Sequence, residues 1–126
     1  MGTPGILYLA AALVAAVGVA HSWLGERYLL SRLFRRSELP PLFGGTVFTR
    51  QTLRFAWHVT SMAWLGLAGI LVVVAQGPGH ERSMLWVVAG TFGVHFAIAL
   101  VASRGRHLSW IAFLAIAVLV GLAAGA

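Results

Sequence analysis

The chain contains no cysteine, lysine, aspartate or asparagine. These absences exclude disulfides, thiolate metal sites, Schiff-base lysines and N-glycosylation. Charged residues make up only 10% of the 126 positions, against about 25% in an ordinary soluble domain. The polar chemistry available is therefore that of nine arginines, three glutamates, five histidines and the hydroxyl side chains.

Hydrophobic residues instead make up 60% of the chain, more than a soluble fold of this size can bury. They form four runs, each close to the roughly 20 residues that cross a bilayer, and no Arg or Lys precedes the first run as it would in a signal peptide. We therefore predict a single integral membrane domain over residues 1–126. Its membrane spans are predicted at about 6–24, 53–76, 84–103 and 108–125.

The segment 26–38, between the first two spans, is amphipathic. Tyr28, Leu30 and Phe34 fall on one side, and arginines fall on the other. Such a basic segment is typical of a helix that lies in the membrane interface. The prolines and glycines of 40–45 then end it, because neither residue type continues a helix well.

The arginines indicate the orientation of the chain. Eight lie in the first and third loops, and Arg82 alone lies on the opposite side, beside Glu81. The positive-inside rule places these loops in the cytoplasm and both termini in the periplasm or exterior, in a bacterial-type inner (plasma) membrane. Short loops make neighbouring spans antiparallel, so the predicted fold is an all-α, up-down four-helix bundle. The net charge of +6 then indicates contact with anionic headgroups rather than nucleic acid.

Arg50, Arg54 and His58 recur every four residues, so they form one stripe along the start of the second span. His21 is five residues before Glu26, and His58 is four residues after Arg54. At 1.5 Å per residue both histidines lie about 6 to 8 Å inside the charged shell. His95, nine residues before the next loop arginine, lies about 13 Å inside it. We expect these three imidazoles to face the bundle interior, since ionisable groups at membrane depth rarely face lipid.

The histidines have two interpretations. In the structural one, each neutral imidazole bonds a backbone carbonyl or a hydroxyl of Thr60, Ser61 or Thr91 and joins two helices. In the other, His21 and His58 hold a transition metal, with His95 or Glu26 completing the ligand set.

The same pair, His21 and His58, is also suited to be the axial ligands of haem b, with propionates on Arg50 or Arg54. No sequence motif specifies either cofactor, and no residue is assigned a catalytic role.

Arg50 and Arg54 also have two interpretations. As topological charges they reach the headgroups without a protein partner. As an anion clamp they bind a phosphate or carboxylate, with His58 as acid or base. Glu26 is the nearest acid, and a pairing with Arg54 or His58 would join the first two spans.

Three functions follow from these residues. The first is a haem-binding or metal-binding membrane module, and the second is an enzyme or carrier for an anionic or lipid-linked substrate. The third is an accessory or pore subunit without chemistry of its own. A homo-oligomer or a place in a larger membrane complex is expected, because four short helices enclose little interior.

The tryptophans divide by depth. Trp23, Trp57, Trp86 and Trp110 are predicted to anchor the chain at the interfaces. Trp64, about six residues deeper than His58, is predicted to lie in the packed interior.

The layout of four spans, exterior termini and an Arg-bearing second span resembles that of the membrane-associated eicosanoid and glutathione enzymes. Those enzymes are trimers that bind glutathione at the corresponding end. Their second span carries Arg, Asn and Glu at fixed spacing, whereas this chain has no Asn and no Glu in that span. The resemblance is one of layout, and neither site residues nor activity are carried over.

Overall fold

The computed structural model describes residues 2–36 and 38–126 and consists of helices joined by short loops. Position 1 and position 37, the latter in the predicted interfacial segment, lie outside the described residues. We number the helices α1 to α4 in chain order. They are α1 (Thr3–Leu33), α2 (Val47–Ala75), α3 (Glu81–Ser103) and α4 (Ser109–Gly125).

The helices α1, α2 and α3 are long and apolar enough to cross a membrane. The fourth helix is also apolar but has 17 residues, about 26 Å at 1.5 Å per residue. The prediction of four helices at these places is confirmed, although α1 ends nine residues later than predicted and α2 begins six residues earlier.

Many large apolar side chains lie on the surface of the molecule. The exposed fractions are 59% for Leu13, 75% for Val101 and 67% for Leu119. Buried positions are mostly small, among them Ala68, Ala99 and the hydroxyl residue Ser61. The helices therefore touch through small residues and leave their large apolar groups outward, as in helix association in lipid.

The described helices contact one another in chain order, so that α1 packs on α2, α2 on α3 and α3 on α4. Along α1 and α2 the contacts run in opposite directions, because Glu26 meets Arg54 whereas His21, earlier in α1, meets Ser61, later in α2. Two glycines of α2, Gly66 and Gly69, allow α3 to approach closely. A Cβ on Gly66 would overlap the side chain of Thr91, and a Cβ on Gly69 would lie 3.0 Å from the side chain of Val87.

The first helix corrects the predicted boundary after residue 24. It runs without a break through Thr3–Leu33, and its segment Gly25–Leu30 is π-helical. Gly25 keeps right-handed helical angles (φ −59°, ψ −50°), and its N–H reaches the carbonyls of both His21 and Ser22. The predicted interfacial segment 26–38 is thus not a separate helix, because this π turn carries the backbone hydrogen bonds onward and the chain leaves the helix after Leu33.

Candidate functional site

A continuous series of side-chain hydrogen bonds joins α1 and α2 near the first loop. We call it the α1–α2 polar network. In order from the loop inward, it consists of Arg54, Glu26, His58, Ser22, Ser61 and His21.

The outer end of the network is an ion pair. Arg54 Nη2 lies 2.8 Å from Glu26 Oε1, and Arg54 Nε donates to Oε2 at 3.1 Å, a two-point contact. The same Oε2 lies 3.4 Å from His58 Nε2. The predicted pairing of Glu26 with Arg54 or His58 is confirmed, and Glu26 makes both contacts. Because both partners are 41–51% exposed, this pair contributes about 1 kcal/mol or less to stability.

The inner part of the network passes through two hydroxyl groups. Ser22 Oγ lies 2.9 Å from His58 Nδ1 and donates to Ser61 Oγ at 2.9 Å. Ser61 Oγ in turn lies 2.9 Å from Nδ1 of His21. Ser61 is fully buried, so its hydroxyl has to find its partners within the protein. His21 and His58, predicted at equal depth, are thereby linked through two serines rather than by direct contact.

The inner end of the network is enclosed by indole rings. The imidazole of His21 stacks on Trp57, with ring centroids 4.2 Å apart and an angle of 4° between the planes, and Trp64 lies 5.0 Å away. Trp57 Nε1 also donates to the backbone carbonyl of His21 at 3.0 Å. Trp57 therefore lies against α1 inside the helix pair, which corrects its prediction as an interfacial anchor.

Gly25 makes room for this arrangement. A Cβ atom at that position would overlap the indole of Trp57. Gly25 also begins the π-helical segment, and π turns are frequent at functional sites. The close approach of α1 and α2 at the network therefore depends on a residue without a side chain.

A cavity of about 350 Å³ lies beside the network. Ser22, Glu26 and His58 line it together with apolar residues that include Trp23 and Met62. An apolar crevice between α1 and α2 thus lies beside the middle of the network.

Comparisons with protein-family models, with curated proteins and with solved structures give no match to this chain. The chemistry of the side chains themselves is the basis for a function.

His95 lies apart from the network. Its Nε2 donates to the carbonyl of Val59 on α2 at 3.0 Å, and the rings of Phe92 and Phe113 each lie 5.4 Å from its own. Its exposed fraction is 4%. This contact agrees with the structural interpretation of the sequence, in which a histidine bonds a backbone carbonyl of a neighbouring helix.

The predicted metal set of His21, His58, His95 and Glu26 is not assembled. Over residues 2–36 and 38–126 the structure has no group of three His, Cys, Asp or Glu residues placed to hold a metal ion. His95 bonds Val59 and packs on Phe113 of α4, away from the α1–α2 contact. Glu26 lies beside His58, but Ser22 and Ser61 separate His58 from His21.

The predicted haem ligands are also engaged within the protein. Both ring nitrogens of His58 have partners, and Nδ1 of His21 bonds Ser61. An axial bond from His58 to iron would require either Ser22 or Glu26 to move away. Arg54, one of the two predicted propionate partners, is paired with Glu26.

Arg50 lies in a different environment from the network. It lines a cavity between the start of α2 and the end of α3, together with Gln51, Arg54 and Arg104. Its Nε is buried and has no hydrogen-bond partner among the described residues. Both residues of the predicted clamp thus line this cavity, but Arg54 is paired with the Glu26 carboxylate and Arg50 is not.

Ser22 and Gly25 were not identified from the sequence as site residues. A signal for Ser22 was present, because Ser22 and Glu26 are four residues apart, as are Arg54 and His58. Matching i, i+4 pairs on adjacent antiparallel helices place two polar faces opposite each other. Gly25 had no comparable signal, since its role depends on the position of Trp57.

Proposed function

We propose that this chain is a small polytopic membrane protein in which the α1–α2 polar network passes a proton between the cytoplasmic interface and the helix interior. The observation that carries the proposal is the unbroken series of hydrogen bonds from Glu26 through two hydroxyls to His21. Carboxylate, imidazole and hydroxyl groups can each accept and donate a proton, and imidazole does so near neutral pH.

The proposal places the molecule in a bacterial-type inner membrane as an up-down bundle of four spans. The length and apolar character of α1, α2 and α3, and the exposure of their large side chains, support this placement. The eight arginines in or beside the first and third loops support a cytoplasmic position for the outer end of the network. The basic loops would then contact anionic lipid headgroups.

Proton transfer along the network needs no heavy atom to move far. Ser22 donates to Ser61 in the structure, and rotation of the two hydroxyl hydrogens reverses that bond. His21 Nδ1–H then donates to Ser61, Ser61 donates to Ser22, and Ser22 donates to His58 Nδ1. If His21 is an imidazolium and each proton shifts to its acceptor, every hydrogen bond reverses. His21 becomes neutral, keeping its proton on Nε2, and His58 gains a proton on Nδ1. One positive charge has then moved from the interior to the imidazole beside Glu26, and its carboxylate stabilises that charge.

The test follows the ring nitrogens of the full chain in lipid nanodiscs. With ¹⁵N-labelled histidine, NMR shifts report which nitrogen carries a proton. We expect the His21 and His58 signals of the unmodified chain to change together with pH, as coupled groups do. Ser61→Ala breaks the series at its buried hydroxyl, so the two rings should then respond independently.

Thr60→Val is the matched control. It removes the hydroxyl of a neighbouring residue that donates to its own helix at Ala56 and lies outside the network. Coupling should persist in this variant. The proposal is overturned if Ser61→Ala leaves the coupling intact, or if His21 keeps one protonation state over the pH range in which His58 changes. The network would then only hold α1 and α2 together.

Haem or a transition metal on His21 and His58 stays a prediction from the sequence. Binding there would displace a network hydrogen bond, so it excludes the proton path proposed above. Metal analysis and an absorption spectrum of protein purified from its native membrane distinguish the two. A Soret band that His58→Ala removes would favour haem.

A further inference from the structure

The cavity at the loop end of α2 and α3 is a second polar feature, separate from the proton path. It has a volume of about 500 Å³ and lies between the first turns of α2 and the last turn of α3. Its polar lining consists of Arg50, Gln51, Arg54 and Arg104.

The charge in this cavity is unbalanced. Three arginines line it, and none of the chain's three glutamates does. Glu26 neutralises Arg54 from the α1 side. Arg50 and Arg104 have no salt bridge to a carboxylate in the part of the chain that the structure describes.

Arg50 is partly withdrawn from solvent without a protein partner. Its Nε–H is buried and donates to no acceptor among the described residues. An N–H left unbonded away from water costs about 1–3 kcal/mol, more when the group is charged. An anion in the cavity would supply the missing acceptor.

We propose that this cavity binds a phosphate group, held by Arg50 and Arg104 with Gln51 beside them. Guanidinium groups from two helices present several N–H donors, which match the oxygens of a phosphate. The remaining walls, at Val47, Val101 and Ala102, are apolar, so the site takes a phosphate with or without an attached apolar chain. The proposal does not depend on proton transfer through the α1–α2 polar network.

The test measures binding to the purified full chain in a neutral detergent. One arm adds short-chain phosphatidylglycerol, a second adds inorganic phosphate, and a third adds short-chain phosphatidylcholine, whose headgroup has no net charge. Affinity is read from the thermal shift as a function of probe concentration. We expect Arg50→Gln and Arg104→Gln each to weaken binding about ten-fold, because each removes a charge-assisted contact.

Arg32→Gln is the matched control, since it removes one exposed arginine of the same basic region that does not line the cavity. It should leave the affinity within about two-fold, as expected for a screened surface charge. Binding of phosphatidylglycerol alone identifies a lipid headgroup, and binding of inorganic phosphate as well identifies a free anion.

Equal weakening by Arg32→Gln, or no weakening by either cavity variant, would mean that diffuse charge attracts the probes and would overturn the site. Should Arg50→Gln fail to fold, Arg104→Gln carries the same test, because Arg104 is exposed at a helix end.

Discussion

Gly25 controls the distance between α1 and α2 at the polar network. Its backbone is ordinary right-handed helix, so space and not conformational freedom explains the glycine. The indole of Trp57 occupies the volume that a methyl group would need, and from there it stacks on His21 and bonds the His21 carbonyl. A glycine in mid-helix lowers helix stability by about 1 kcal/mol relative to alanine, and the indole contacts offset that loss.

We therefore predict that Gly25→Ala destabilises the protein, by about 1–3 kcal/mol, because overpacking displaces Trp57. Chemical unfolding in detergent, followed by circular dichroism, measures the loss, and tryptophan fluorescence reports the moved indole. Gly90→Ala is the control, since a Cβ there would meet no atom within 4 Å. Gly90→Ala should be neutral or stabilising, and an equal loss at both positions would contradict the steric explanation.

His95 is predicted to be a packing residue. Its Nε2 proton bonds the carbonyl of Val59, and its ring is buried against Phe92 and Phe113. We expect His95→Ala to lower the free energy of unfolding by about 2–4 kcal/mol, through an emptied volume and the loss of the hydrogen bond to Val59.

The same variant separates His95 from the network. The ring ¹⁵N shifts of His21 and His58 should be unchanged in folded His95→Ala. A shift of both signals would mean that His95 shares their site, as the sequence had suggested.

At the scale of the helix, the ends of α3 and α4 support each other. Arg82, in the first turn of α3, donates from Nε to the carbonyl of Ala124 at 2.5 Å and from Nη2 to the carbonyl of Gly125 at 3.2 Å. The last carbonyls of a helix have no partner within it, and a cation there is favourable. Arg82, which the sequence suggested only as a topological charge, thus also caps a neighbouring helix.

We predict that Arg82→Gln frays the end of α4. Amide hydrogen exchange in the last turn before Gly125 should accelerate several-fold, since about 1 kcal/mol of capping is lost there. Exchange in the α1–α2 contact should not change. Arg27→Gln serves as the control, and acceleration at α4 in that variant too would point to net charge rather than to the cap.

At the scale of the whole molecule, the apolar surface and the positions of the arginines are the basis for predicting how the chain lies in a membrane. Large apolar side chains face outward on all four helices, and eight of the nine arginines lie in or beside the first and third loops. The absence of cysteine makes single introduced thiols a direct probe of sidedness.

We predict that Gln76→Cys, between α2 and α3, reacts with a membrane-impermeant maleimide in intact spheroplasts. Glu38→Cys, in the first loop, should react only after the membrane is permeabilised, because positive loops stay in the cytoplasm. Both positions are exposed, so their difference reports sidedness rather than burial. The reverse pattern would place the network at the exterior face and remove its proposed cytoplasmic proton source.

The association state belongs to this scale too. A homo-oligomer or a place in a larger complex stays a prediction, which native mass spectrometry from nanodiscs can test. The first helix packs on α2 alone among the described helices. The rest of its surface is not covered by the described helices, and a second chain is one partner that the measurement would detect.

The sequence by itself determined the features that depend on neighbouring residues. Apolar runs of span length located four helices, and four-residue spacing aligned Arg54 with His58. Glu26 is the nearest acid to these two residues, so the sequence also predicted that it would contact Arg54 or His58, and the structure contains both contacts. Each of these inferences needs only helical periodicity and the rise per residue.

Only the tertiary structure decided which helix faces meet. Counting residues from the charged positions predicted His21, His58 and His95 to lie together. In the structure the rotation of the helices about their axes turns His95 to Val59 and brings Ser22 and Ser61 between the other two histidines. The helix α1 continues to Leu33 through a π turn, which no residue pattern in the sequence had predicted. Rotation of this kind is set by close contacts between residues distant in the chain, such as Gly25 with Trp57, and spacing within one helix carries no information about them.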